Sequence, residues 1–287
     1  MVLILIEGRF LLTLGVIAIS VISMWEFYRA VGLVKISKLL CILGIWGSCA
    51  IAILAAYQIG GTPLIPSKFL MLTGFVYVIS LLIIMLLKHK SIKLTDIAMI
   101  IVGNVYVAYL LVHIILVRHL EFGHLLVWLI FLGAFMTDTF AYFVGVLFGK
   151  HKLCPNISPK KTIEGAIGGI VGCGLSFLLF GMIVNRFFAD VLLRYEYMPV
   201  QYLSSAYYVI VPQGSSFSLP LMFALGLICS IAAQVGDLVA STIKRQYDIK
   251  DFGRILPGHG GVLDRFDSIL FVAPVVYLFL THIEVIV

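Results

Sequence analysis

The chain has 287 residues, 62% of them hydrophobic and only 12% charged, with a formal net charge of +6. Soluble domains carry about 25% charged residues, so this chain holds half the charge needed to coat a water-facing surface. An ordinary soluble domain is excluded. A nucleic-acid surface is disfavoured as well, because the basic residues are divided among short segments between apolar runs.

Runs of roughly 20 apolar residues match the hydrocarbon thickness of a bilayer. In chain order they cover about 10–28, 39–59, 69–87, 97–117, 125–148, 163–184, 219–240 and 262–283. The expected fold class is therefore all-α: a polytopic integral membrane helix bundle of about eight transmembrane helices. It reads as a single membrane domain over 1–287, with N-terminal helices in 1–120 and a catalytic part in 121–287. That part carries loops at 149–162 and 241–262; the longest connection, 185–218, is only a large loop.

Lys and Arg set the orientation. Alternate connections carry Arg29, Lys35 and Lys38, then Lys88, Lys90 and Lys93, then Lys150, Lys152, Lys160 and Lys161. The last of that set carries Lys244, Arg245, Lys250, Arg254 and Arg265, whereas the opposite side has only Arg9, Lys68, Arg118, Arg186 and Arg194. Fifteen of the 20 basic residues thus fall on one side, which the positive-inside rule makes cytoplasmic. Before the first span, residues 1–6 are apolar and Glu7-Gly8-Arg9 follows, like the tail of a helix and its turn. Six residues cannot cross, and no basic region or cleavage site marks a signal peptide. Either this end lies in the outer interface or a preceding helix is missing. The five cysteines form no CxxC pair and carry no expectation beyond small apolar packing.

Polar residues at helix depth are the informative ones, since a charge there is costly unless solvated or paired. Asp138 is the first, in a helix where Ala141, Gly145 and Gly149 repeat at four-residue spacing as a close-packing stripe. It is a candidate site floor. The loop after it reads Ser158-Pro159-Lys160-Lys161-Thr162-Ile163-Glu164-Gly165. Ser158 with Pro159 predicts a helix start. Two lysines at the positive end of a helix dipole point to an anion held there. Gly165, Gly168, Gly169, Gly172 and Gly174 continue that helix as a second packing face.

The densest stretch runs from Gln234 to Ser268. Asp264 and Asp267 stand three apart and share a helix face, and Asp237 joins them if the two helices are neighbours. Three carboxylates together repel unless a cation neutralises them, and oxygen-only ligands suit Mg²⁺. Lys244, Arg245, Lys250 and Arg265 are phosphate donors, and Pro257-Gly258-His259-Gly260-Gly261 supplies backbone amides that approach a ligand closely. His259 is either a phosphate donor or a packing residue. Carboxylates for a metal beside cations for phosphates are the working parts of phosphoryl or nucleotidyl transfer.

Ser241, Lys244-Arg245, Lys250-Asp251, Pro257-Gly258-His259-Gly260-Gly261 and Asp264-Arg265-Phe266-Asp267 resemble the signature of the phosphatidate cytidylyltransferases, or CDP-diacylglycerol synthases. The Asp138 helix and the Ser158–Gly165 loop also look like that family, and Glu26-Phe27-Tyr28-Arg29 is similar to a family helix end. The resemblance implies that CTP and phosphatidate give CDP-diacylglycerol and pyrophosphate in phospholipid biosynthesis. It implies Mg²⁺ on Asp237 and Asp264, with Asp267 for a second cation, such as monovalent K⁺, or as an outer carboxylate. Lys160, Lys161, Lys244, Arg245 and Lys250 would hold phosphates. Ser158, Thr162, Glu164, Ser241, Asp251, His259 and Arg265 complete the substrate-binding set, and Asp237, Asp264 and Lys244 are the catalytic candidates. A bacterial-type cytoplasmic membrane and room for a homodimer follow from the same resemblance, as does the family-typical N-terminal helix absent here. The rival readings are a CTP-dependent polyprenol or other lipid kinase and an ion-coupled membrane transporter.

Overall fold

The computed structural model of the chain describes residues 9–56, 58–59, 62–63, 67–120, 122–187, 216–255 and 260–283. Residues 1–6, most of the 185–218 loop and His259 lie outside them. Helix α1 spans Arg9–Ala30, a single turn α2 covers Leu33–Ile36, and α3 spans Lys38–Ala56. A two-residue hairpin, β1 (Gln58–Ile59) with β2 (Thr62–Pro63), leads to α4, Ser67–Leu87. The next column is α5 (Leu94–Gly103), a π-helical segment over Asn104–Tyr109, and α6 (Leu110–His119). Then come α7 (Gly123–Phe148), β3 (Lys152–Cys154), β4 (Ser158–Thr162), α8 (Ile163–Phe187), α9 (Leu219–Gln246) and α10 (Leu263–His282).

Helix thus stands at each of the eight expected spans, and the all-α membrane bundle is what the chain forms. Among the described residues, six columns are long and apolar enough to cross: those of α1, α3, α5–α6, α7, α8 and α9. Helix α4 is apolar over Met71–Leu87, and α10 opens with the charged Asp264, Arg265 and Asp267. The chain is an integral membrane protein by this pattern.

Close packing between α7 and α8 follows from their small residues. A β-carbon on Gly165 would sit 2.7 Å from the Ala141 carbonyl and 3.1 Å from the Gly145 α-carbon. On Gly169 it would meet the Thr137 carbonyl at 3.0 Å. Backbones approach here because nothing projects between them. Helices α8, α9 and α10 then follow as successive neighbours, with α10 also packing on α6 and α7.

The π-helical segment was not foreseen from the periodicity, since one extra residue leaves the apolar pattern intact. Around it, side chains support the loosened backbone. Asn104 Nδ2 donates to the Ile100 carbonyl (3.2 Å) and to Tyr77 Oη (2.7 Å), and Tyr28 Oη donates to the same carbonyl (3.5 Å).

One expectation is corrected. The helix expected to start at Pro159 starts at Ile163, and Ser158–Thr162 is instead the second strand of an antiparallel hairpin. Thr162 does the capping: its Oγ1 accepts the Gly165 N–H at 3.2 Å. The Ser158 signal was outcompeted because Lys152 and Cys154 pair with Thr162 and Ser158, with a register shift between the two pairs, and this pairing engages the segment before the helix begins. Lys160 and Lys161 are therefore strand residues and not cations in a first helical turn.

Candidate active site

The charged residues meet at one end of the bundle. Arg29 Nη2 at the end of α1 donates to the Phe252 carbonyl (3.2 Å), Arg245 Nε to the Ile157 carbonyl of the hairpin (3.3 Å), and Tyr247 Oη to Met99 Sδ (3.8 Å). These contacts tie all four basic-rich connections, or the helices next to them, to one surface.

Two lysine–aspartate pairs form the centre. Lys161 of β4 is ion-paired with Asp237 of α9, both side chains 26% exposed. Ser241, one turn later on α9, donates its hydroxyl to Asp237 Oδ1 at 3.4 Å. Deeper in, Lys244 Nζ donates to Asp264 Oδ1 at 2.8 Å, with the aspartate only 5% exposed. Lys244 also lies 5.5 Å from the centre of the Phe252 ring, a cation–π contact that adds to its fixation. Asp267 accepts the Ser268 N–H at 2.8 Å and lies within electrostatic range of Asp237, Lys244 and Asp138. Asp138 on α7 is exposed and interacts electrostatically with Asp237 and Lys161.

Asp264 is held by more than Lys244. Its Oδ2 accepts the Phe252 N–H at 2.8 Å and the Gly261 N–H at 3.0 Å. The same loop is gripped from the other side by Glu26 of α1, 1% exposed, whose Oε2 accepts the Leu263 N–H at 2.9 Å. Gly253 and Gly261 face the Glu26 carboxyl, and side chains at either position would occupy its place. Gly260 turns the loop at φ +81°, a left-handed conformation that suits glycine.

The remaining candidates are placed as follows. Glu164 accepts the Lys150 N–H (3.1 Å) and both the His151 N–H (3.2 Å) and its ring Nδ1 (2.6 Å), bracing the hairpin against α8. Ser158 and Lys160 sit on β4, with Lys160 exposed. Lys250 and Asp251 line a cleft with Asp248, Ile249 and Arg254. Arg265 is exposed on the first turn of α10. Glu26 and Arg29 were not foreseen as parts of the site, and Gln234 opened the polar stretch without an assigned role. Gln234 Nε2, one turn before Asp237, donates to the Ala166 carbonyl at 3.0 Å and ties α9 to the start of α8. Glu26 carried a signal: a carboxyl within an apolar helix.

Among the described residues, no three His, Cys, Asp or Glu stand together in a ready metal set. Asp264 is engaged by Lys244 and two backbone amides. The donor chemistry nevertheless fits a hard cation: Asp237, Asp138 and Asp267 are oxygen donors in mutual electrostatic range, and a lysine ammonium already supplies Asp237 with positive charge.

A sequence model of the cytidylyltransferase family matches residues 1–283. The chain belongs to the cytidylyltransferase family. Within it, the phosphatidate cytidylyltransferase of Bacillus subtilis (strain 168) is 31% identical over 278 residues, 96% of this chain and 90% of the relative. That of Staphylococcus saprophyticus is 40% identical over 166 residues, 58% of this chain and 50% of the relative. That of Staphylococcus haemolyticus is 44% identical over 150 residues, 52% of this chain and 46% of the relative.

Proposed function

We propose that the chain transfers the cytidylyl group of CTP to phosphatidate, releasing pyrophosphate and leaving CDP-diacylglycerol in the membrane. The observation that carries this reading is the near full-length similarity to the Bacillus subtilis phosphatidate cytidylyltransferase. The paired Lys161–Asp237 and Lys244–Asp264 at one end of the bundle support it. On this reading the reaction runs at the cytoplasmic face of a bacterial inner membrane, which the excess of Lys and Arg on one side supports.

A phosphate oxygen of phosphatidate attacks the α-phosphorus of CTP. That P–O bond forms as the bond from the α-phosphorus to the oxygen bridging to the β-phosphorus breaks, and pyrophosphate carries the electron pair away. A phosphomonoester is already largely ionised near pH 7, so no side chain has to remove a proton. The work is positioning and charge stabilisation. Lys161, Lys244 and Arg245 bind phosphate oxygens, with Lys160 and Lys250 beside them. Asp237 and Asp267, with Asp264 behind, would hold Mg²⁺, which supplies charge neutralisation for the triphosphate when bound. A second cation, such as K⁺, would share the Asp267 side.

The test uses the purified protein in detergent with labelled CTP and phosphatidate, Mg²⁺ titrated and both products followed. Pyrophosphate and CDP-diacylglycerol should appear in equal amounts and only with Mg²⁺. Release of CDP instead would make the protein a lipid kinase and defeat the proposal.

A further inference from the structure

We infer that Tyr106, on the π-helical segment, is a positioning residue for Asp267, its phenol donating across one bridging water to that carboxylate; this rests on the metal reading above. Tyr106 is 8% exposed, and its Oη is buried with no hydrogen-bond partner among the described residues. A buried donor left unpaired is costly, and in folded proteins most such groups are served by protein or by ordered water. Nearby donors are already spent. Tyr28 Oη and Asn104 Nδ2 both donate to the Ile100 carbonyl, and Asn104 also reaches Tyr77 Oη.

Packing brings the phenol to the acidic end of α10. Its ring meets Phe271 edge-on, with 6.4 Å between centroids, and Phe27 at 6.1 Å. Phe271 stands one turn after Asp267 and shares its helix face. Gly236, the residue before Asp237, packs against both: a β-carbon there would sit 2.6 Å from the Asp267 carbonyl and 2.9 Å from the Phe271 ring. The phenol is thus held where α9 and α10 present Asp237 and Asp267. It lies within electrostatic range of Asp267, Asp237 and Asp264, with Asp267 the strongest. Toward carboxylates a phenol acts as donor, and a polar pair beyond direct reach is joined well by a bridging water. Asp264 is already engaged by Lys244 and two amides, and Asp237 by Lys161 and Ser241. Asp267 has the Ser268 N–H at 2.8 Å, and a second donor fixes its rotation. A carboxylate oriented by partners outside the coordination shell binds metal more tightly than one left to rotate.

The experiment measures Mn²⁺ binding to the full chain in detergent by electron paramagnetic resonance, with thermal unfolding as the folding control. Tyr106→Phe keeps the ring against Phe27 and Phe271 and removes the hydroxyl alone. It should weaken Mn²⁺ binding by about tenfold, at the low end of the 10- to 100-fold typical of such outer partners. The Mg²⁺ needed for half-maximal turnover should rise in parallel, with the KM for CTP at saturating Mg²⁺ unchanged. Tyr109→Phe, on the same segment but 51% exposed, should bind Mn²⁺ like the parent. Parent-like Mn²⁺ affinity in Tyr106→Phe would overturn the inference, and a raised KM for CTP beside it would put the hydroxyl on substrate instead. An equal loss of affinity in Tyr109→Phe would overturn it too, since the effect would then come through the helix. A parent protein that binds no Mn²⁺ would overturn the metal reading itself, and this inference with it.

Discussion

Lys161 shows how much one side chain carries. It arrives on a strand, pairs with Asp237 and lies within electrostatic range of Asp138, so it links three elements at one end of the bundle. Charge-assisted hydrogen bonds contribute about 1.5–3 kcal/mol. Lys161→Ala should therefore raise the KM for CTP, phosphatidate or both by roughly 10- to 100-fold, with steady-state kinetics as the measurement; an unchanged KM for both substrates would remove its phosphate role. The acidic positions Asp138, Asp237, Asp264 and Asp267 were legible in the sequence because a carboxyl in an apolar chain has few reasons to be there. Glu26 met the same criterion. Its role stayed hidden because its partner is a backbone amide, and an amide has no letter in a sequence.

At the scale of elements, spans were legible and local grammar was not. Twenty apolar residues in a row have one use in a bilayer, so the eight columns could be placed within a few residues. Ser158-Pro159 reads equally well as a helix start or a strand, and only the pairing with Lys152–Cys154 decides it. The glycine stripes of α7 and α8 were readable in kind, and the structure adds which backbone each one meets. Gly165→Val should lower the thermal unfolding midpoint of the detergent-solubilised protein by several degrees, since overpacking costs about 1–3 kcal/mol. Gly74→Val, where nothing lies within 4 Å, should leave the midpoint unchanged. Equal midpoints for the two variants would contradict the close α7–α8 contact.

For the whole molecule, the orientation is the quantity to test. The four basic-rich connections converge at one end of the bundle, which the loop charges imply and the Arg29, Arg245 and Tyr247 contacts support. A cysteine at Lys90, exposed after α4, should react with a membrane-impermeant maleimide only in opened cells. One at Arg186, exposed at the far end of α8, should react in intact cells. The reverse pattern would place the site on the outer face. What could not be read from the chain was which distant segments touch, because alternating spans allow many arrangements of the same helices in the plane of the membrane.

The hydrogen bond from Leu263 to Glu26 joins residues 237 positions apart, and that separation is also an interval of time. At roughly 5–20 residues per second of synthesis, Glu26 waits about 10–50 s before its partner exists. During that interval an acidic side chain sits in a mostly apolar helix. Its place in the last turn of α1, beside Arg29 and close to the end of the helix at Ala30, lets water hold it at the membrane surface until the last loop is made. The active site is thus the last part of the molecule to be completed, and its first residue is among the earliest to be laid down.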